Sequence, residues 1–128
     1  MTMTIWMRIF CTAGSLCLLL PSAWAGTAGC NTTGGKEIFE GKCSVCHALA
    51  ENKVGPRLAG IVGRKAGSEA NFGYTSALEG AGFNWDDSRL DAFLTNPARY
   101  LPGTAMAFAG MPKAQERQAV ICFLGSHN

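Results

Sequence analysis

Apolar residues recur at helical spacing in several parts of the chain, and glycine-rich or polar stretches separate these parts. In "GGKEIFEGKCSVCH", Ile38, Phe39, Cys43 and Cys46 share one face, which predicts an N-terminal helix over residues 34–47. Three polar residues before it are candidates to cap its start: Asn31, Thr32 and Thr33.

Two further helices are predicted with more regular apolar faces. In residues 86–96, an aspartate caps the start, the face consists of Leu90, Phe93 and Leu94, and Pro97 limits continuation. The segment 113–125 predicts the last helix, which ends at a glycine. Its apolar side is formed by Val120, Ile121, Phe123 and Leu124.

The remaining pattern predicts loops. "YTSALEG", residues 74–80, is a short helix at most, and residues 48–73 form a long glycine-rich stretch with no strand pattern. Such a loop is unusual inside a small compact domain, and a few short helices supply a thin apolar core. Both difficulties disappear if a large apolar group occupies the centre and the loops wrap around it. The expected fold class is therefore all-α.

The first 25 residues read as a secretory signal peptide. Arg8 precedes an apolar run over residues 9–20, and "AWA" provides a small-residue cleavage site after Ala25. The run is too short for a helix that crosses a bilayer, which takes roughly 20 residues. We therefore expect a mature domain of residues 26–128 in the periplasm. A retained membrane anchor and a lipid on Cys30 are the alternatives.

Charge excludes one class of partner. The chain has 11 Lys and Arg against 9 Asp and Glu, and removal of Arg8 brings the mature chain close to neutrality. Basic residues form no block, so nucleic-acid binding has no support. Attraction to a charged partner would depend on local patches of the surface.

The stretch "KCSVCHAL", residues 42–49, carries the chemistry. Two cysteines three residues apart place both sulfurs one helical turn apart, which suits thioether bonds to the two vinyl groups of a haem. The adjacent His47 then reaches the iron, and C-x-x-C-H is the attachment signature of c-type haem. A thiol redox pair would need a βαβ context, and a structural zinc site would need four ligands.

Two other cysteines remain once the signal peptide is removed, since Cys11 and Cys17 leave with it. Cys30 and Cys122 are a candidate disulfide in an exported chain. The alternatives are a free thiol at each position or a lipid on Cys30. A bridge would close a loop of about ninety residues, worth up to roughly 4–5 kcal/mol in the chain-entropy model.

The identity of the sixth iron ligand separates the possible functions. An open site suggests gas binding or peroxide chemistry, whereas a methionine suggests electron transfer at a raised potential. The mature chain has two methionines. Met106 lies in the irregular "YLPGTAMAF", where a helix face cannot explain it, and Met111, before a proline, is the weaker candidate.

The mature chain resembles the class I cytochromes c, close to the mitochondrial and purple-bacterial kind, over residues 35–124. The matching stretches are "GKEIFEGKCSVCH", "VGPRLAGIVGRKAG", "NFGYTSAL", "NPARYLPGTAMAFAG" and "ERQAVICFL". The resemblance implies the cytochrome c fold, with short helices and long loops around one haem c bound covalently through Cys43 and Cys46. It implies His47 and Met106 as the iron ligands.

The resemblance also implies the surroundings of the haem. Pro56 matches the carbonyl that accepts a hydrogen bond from the ligand histidine. Three residues match the neighbours of the haem propionates, namely Arg64, Tyr74 and Trp85. Three more match groups near the methionine and the exposed haem edge, namely Tyr100, Thr104 and Phe108. Plain core packing for the aromatic residues, and a solvated charge for Arg64, are the alternative interpretations.

The function expected from these features is electron transport by a soluble, monomeric, single-haem protein that is not an enzyme. Its iron would alternate between Fe(II) and Fe(III), as in a respiratory chain. Redox proteins would dock transiently near Phe108 and Ala107. No membrane span is expected in the mature protein. The alternative is a haem peroxidase or gas sensor with a labile sixth ligand. The lysine ring of mitochondrial relatives is thinned here, so their partners are not expected. The five lysines are Lys36, Lys42, Lys53, Lys65 and Lys113.

Overall fold

The computed structural model describes residues 29–128, so the predicted signal peptide lies outside the described residues. Five helices follow one another: α1 (Thr32–Lys42), α2 (Ser76–Glu79), α3 (Asp87–Thr95), α4 (Pro97–Tyr100) and α5 (Ala114–Gly125). Within this part of the chain, the only β-type pairing is an isolated bridge between Lys65 and Asn84. The all-α prediction is confirmed, and no helix among these residues is long and apolar enough to cross a membrane.

Helix α1 ends earlier than predicted. Asn31 caps its start by accepting a hydrogen bond from the Gly34 amide at 2.9 Å, whereas Thr32 and Thr33 belong to the helix. At the other end, the amides of Cys43 and Ser44 both bond to the Phe39 carbonyl at 2.9 Å. This shared acceptor closes the helix, so the C-x-x-C-H motif follows α1 as a turn and is not part of it.

Helices α1 and α5 pack against each other so closely that position 35 has no space for a side chain. The Phe39 and Phe123 rings lie 5.5 Å apart, centroid to centroid. At Gly35, an added Cβ would lie 2.0 Å from the Ala119 carbonyl oxygen, so only glycine permits this approach.

A disulfide between Cys30 and Cys122 joins the segment before α1 to α5 in the structure. The two Cα atoms are 5.5 Å apart, and the cysteines are 92 positions apart in the sequence. This separation is within the usual range for disulfides, about 4.4–6.8 Å. Cys122 is half-buried beside the buried Ile121 and Phe123, and it faces the start of α1.

The core side chains of α3 and α5 agree with the predicted faces. Leu90, Phe93 and Leu94 are all buried, as are the four apolar residues predicted for α5. Asp86 caps α3 by accepting from the Arg89 amide at 2.8 Å. Buried Arg117 ties α5 to α3, because its Nε donates to Asp91 Oδ1 at 2.8 Å.

The predicted stop at Pro97 is only partly correct. Helix α3 does end at Thr95, but Pro97 then opens a second short helix, α4. Asn96 caps α4 by accepting from the Arg99 amide at 3.0 Å, and proline suits the first helical position because it lacks an amide hydrogen. The prediction missed α4 because it used proline only as a breaker.

Candidate haem-binding site

The C-x-x-C-H turn keeps its two thiols one turn apart even though it lies outside α1. The amides of Cys46 and His47 both donate to the Cys43 carbonyl, at 3.1 and 2.9 Å. These bonds preserve a helix-like turn, so the spacing suits the two vinyl groups of a haem as well as a helix would. Cys43 is half-buried, Cys46 is exposed, and both thiols are free in the structure.

The His47 ring is held on two sides. Its Nδ1 lies 2.7 Å from the Pro56 carbonyl oxygen, which can only accept, so Nδ1 carries the hydrogen and Nε2 keeps a lone pair. At Gly55, an added Cβ would lie 2.2 Å from His47 Cε1, so this position must lack a side chain.

Burial lowers the pKa of His47; the Pro56 carbonyl raises it and the charge of Lys53 lowers it further. The shift favours the neutral imidazole, which is the form that binds a metal.

The electrostatics of Cys43 disfavour the redox-pair alternative. Burial raises the pKa of the Cys43 thiol to about 11, with Lys42 acting weakly in the opposite direction. A redox cysteine needs a lowered pKa to supply a thiolate. Across residues 29–128, no three His, Cys, Asp or Glu side chains converge on a position for a metal ion.

The three residues matched to propionate neighbours come together. The Trp85 amide donates to the Arg64 carbonyl at 2.8 Å, and the Trp85 carbonyl accepts from Gly63 at 2.6 Å. Trp85 is buried, and the Arg64 side chain is only 13% exposed. Burial raises the pKa of the Tyr74 hydroxyl; the Glu69 backbone and the charge of Arg64 lower it, and the charge of Glu69 raises it, so Tyr74 lies within reach of both charges.

Tyr100 belongs to an aromatic cluster that connects it to Trp85. Phe93 lies between them, with ring centroids 5.1 Å from Trp85 and 6.1 Å from Tyr100. Phe83 provides a second connection, with its ring centroid 5.0 Å from that of Trp85 and 6.3 Å from that of Tyr100. Sequence reasoning missed Phe83, although its place two residues before Trp85 puts both on one side of an extended segment.

Met106 and Met111 occupy different environments. Met111 is 1% exposed, and its amide donates to the Leu94 carbonyl at 2.8 Å, so it is a core residue. Met106 is half-buried against the core, in a segment without helix. Its amide donates to Thr104 Oγ1 at 3.3 Å, and its carbonyl accepts from Phe108 at 2.9 Å. The Met106 thioether is therefore not enclosed in the core and is available as a ligand, unlike that of Met111.

One buried polar atom in this region indicates that a group carrying oxygen atoms binds here. Thr75 Oγ1 is buried and has no hydrogen-bond partner among the described residues. Thr75 stands at the cap position of α2, yet its side chain makes no capping bond. Burying a hydroxyl without a partner is costly, so a carboxylate such as a haem propionate fits here. Sequence reasoning missed Thr75, because a threonine before a helix predicts a cap.

Comparison with known proteins gives a consistent result. Residues 33–128 match the family model described as "Cytochrome c". The chain is 41% identical to cytochrome c of Tetrahymena pyriformis over 97 residues, 75% of this chain and 88% of that protein. It is 39% identical to cytochrome c2 of Rhodomicrobium vannielii over 113 residues, 86% of this chain and 89% of that protein.

A solved structure is also similar. Cytochrome cH from Methylobacterium extorquens matches with a TM-score of 0.72 and 33% sequence identity. The match covers 75% of this chain and 98% of that one.

Proposed function

The chain belongs to the cytochrome c family, and we propose that it is a soluble periplasmic protein that transfers single electrons, with His47 and Met106 as iron ligands. Members of this family bind one haem c covalently through cysteines. In this proposal Cys43 and Cys46 form the thioether bonds, and residues 26–128 are the mature domain.

The observation that carries the proposal is the setting of His47. The hydrogen bond from Nδ1 to the Pro56 carbonyl orients the ring and leaves Nε2 as the ligand atom. Because Gly55 has no side chain, the His47 ring can lie directly against the backbone there. Both features fix an imidazole beside the two cysteines, as a haem ligand requires.

Met106 and its surroundings favour a carrier over an open site. The bound haem supplies a one-electron couple, and a methionine ligand raises its reduction potential. The Met106 backbone is held by Thr104 and Phe108, so the thioether is positioned before ligation. The buried aromatic residues nearby exclude water, which keeps the rearrangement between the two iron states small.

The catalytic alternative lacks a distal acid or base in the described part of the chain. His127 is the other histidine there, and its Nδ1 lies 2.7 Å from the Phe123 carbonyl oxygen. Its ring packs on the Phe123 ring at 4.4 Å, near the end of α5. A carrier needs no such group, so we propose that the protein is not an enzyme.

Partners are proposed to dock transiently, on a monomer, at the haem edge near Phe108 and Ala107. Ala107 is exposed, and Val45 in the C-x-x-C-H turn is 78% exposed, so the surface includes apolar area. Lys42 and Lys113 both pair with Glu116, at 3.6 and 3.1 Å. This pairing weakens the positive potential around Lys42 and Lys113, so redox partners need not be strongly acidic.

The experiment compares the two methionines in the holoprotein. We expect oxidised wild-type protein to show the weak near-infrared band of a thioether on Fe(III), and Met106→Ala to abolish it. Met111→Ala is the matched control. It should keep the band but lose about 2–5 kcal/mol of unfolding free energy, because it leaves a cavity in the core.

Two results would contradict the proposal. One is a near-infrared band that survives Met106→Ala. The other is wild-type protein that lacks the band at neutral pH and binds carbon monoxide readily when reduced. The second result would favour a peroxidase or gas sensor with a labile sixth ligand.

A further inference from the structure

A buried carboxylate lies beside the residues matched to the haem propionates, and sequence reasoning did not single it out. The Glu69 side chain is 6% exposed. Its Oε1 accepts from Arg57 Nε at 2.6 Å, and its Oε2 accepts from Arg64 Nη1. Each oxygen is therefore engaged by a different guanidinium group.

This arrangement fixes Arg64 in one orientation. Besides Glu69, its guanidinium donates to the Arg57 carbonyl at 2.7 Å and to the Ala59 carbonyl at 3.3 Å. The Arg64 side chain is 13% exposed, whereas Arg57 is 44% exposed and reaches solvent. Glu69 thus neutralises the inner arginine most fully, because their attraction is screened least by water.

The ion cluster belongs to the candidate haem site and not to a distant surface. The Arg64 backbone bonds to buried Trp85. The charges of Arg64 and Glu69 both act on the Tyr74 hydroxyl, the first lowering its pKa and the second raising it. The next residue is Thr75, whose buried hydroxyl lacks a partner. Glu69 therefore stands at the corner where the resemblance expects haem carboxylates.

The charge at this corner affects the iron. Arg57, Arg64 and Glu69 carry a net formal charge of one positive unit, and removal of the carboxylate would leave two. The Fe(III) state carries one more positive charge than Fe(II), so a nearby negative charge favours Fe(III). The low exposure of Glu69 makes this effect larger than that of a surface carboxylate.

We propose that Glu69 is a positioning residue of the haem site, which orients Arg64 and lowers the reduction potential of the bound haem. This inference rests on the proposed function, since it concerns the potential of the iron couple. It assigns a role to an ion cluster, centred on a buried carboxylate, that packing alone does not require.

The test measures the reduction potential of the holoprotein by spectroscopic titration. Glu69→Gln should shift the potential upward. The matched control is Glu79→Gln, which removes the same charge from an exposed residue with no ion pair in the described part of the chain. Glu79 adjoins the same loop, since a Cβ on Gly67 would lie 2.9 Å from Glu79 Cα. It should shift the potential much less.

A double variant separates charge from disruption and covers the case in which Glu69→Gln does not fold. Arg57→Gln with Glu69→Gln restores the net charge of the cluster to one positive unit. It should return the potential towards the wild-type value. Equal shifts for Glu69→Gln and Glu79→Gln would overturn the proposal, as would a double variant that keeps the full upward shift.

The near-infrared band keeps this test apart from the test of function. Wild-type protein without the thioether band would contradict Met106 ligation, whatever Glu69 does. Variants that keep the band but show no difference in potential would overturn only the role of Glu69.

Discussion

The contact between α1 and α5 and the loop region, residues 47–75, are held together in different ways. The helices meet through side chains, with Phe39 against Phe123 and glycine at the point of closest approach. The loop region has no helix, and hydrogen bonds and ion pairs to His47, Arg64 and Glu69 organise it. The contact between the terminal helices thus leaves no buried side-chain polar atom without a partner among the described residues, whereas the loop region ends at Thr75, whose buried hydroxyl has none.

This difference separates stability from function. Close packing of apolar residues contributes to the free energy of folding wherever it occurs. Glycine at position 35 serves that packing, whereas glycine at position 55 serves the orientation of one ring. Changes in the two regions should therefore be detected by different measurements.

The largest effect is expected at Gly35. In Gly35→Ala, the new Cβ would lie 2.0 Å from the Ala119 carbonyl oxygen, so α1 and α5 must separate. We expect a loss of about 3 kcal/mol or more in the free energy of urea unfolding. The control is Gly41→Ala in the same helix, which meets nothing within 4 Å. It should add about 0.5–1 kcal/mol, because alanine is the better helix former. Similar unfolding midpoints for both variants would refute the close contact.

The disulfide should come next. Replacing both Cys30 and Cys122 by serine removes a bridge across 92 positions, and we expect a loss of about 2–4 kcal/mol in urea. The near-infrared band should persist at neutral pH, because the bridge lies in the terminal region and not at the iron. Mild reduction of wild-type protein serves as the control and should reproduce the loss. A variant as stable as the wild type would show that the bridge does not constrain the chain.

Gly55 should show the smallest effect on stability and a clear effect on ligation. In Gly55→Ala, the methyl group would displace the His47 ring and break its hydrogen bond to Pro56. We expect a weaker near-infrared band and a lower yield of holoprotein. Gly73→Ala is the control, since a Cβ there meets nothing within 4 Å. If both variants have the spectrum of the wild type, the ring does not depend on position 55.

The sequence predicted most of what depends on local pattern. The faces of α3 and α5 were correct because apolar spacing reports burial directly. The end of α1 was placed too late, since Cys43 and Cys46 continue the apolar spacing beyond the point where the shared Phe39 carbonyl stops the helix. The start of α4 at Pro97 was missed, because the same residue type both ends and begins helices.

The site was less predictable where its contacts are non-local. The C-x-x-C-H motif indicated haem by itself, but the roles of Pro56 and Arg64 came from resemblance. The pairing of Glu69 with Arg57 spans twelve positions through an irregular loop, for which no periodic pattern exists. Thr75 could not be found, since its signal is a hydrogen bond that the protein does not make.

The raised pKa of the Cys43 thiol bears on the persistence of the disulfide between Cys30 and Cys122. Because burial raises the pKa of this thiol to about 11, it is almost entirely protonated near pH 7. Thiol–disulfide exchange requires the thiolate, so once the chain adopts this fold Cys43 attacks the Cys30–Cys122 bond very slowly. Burial thus makes Cys43 a poor nucleophile towards the bridge, which favours the disulfide together with a reduced thiol at position 43.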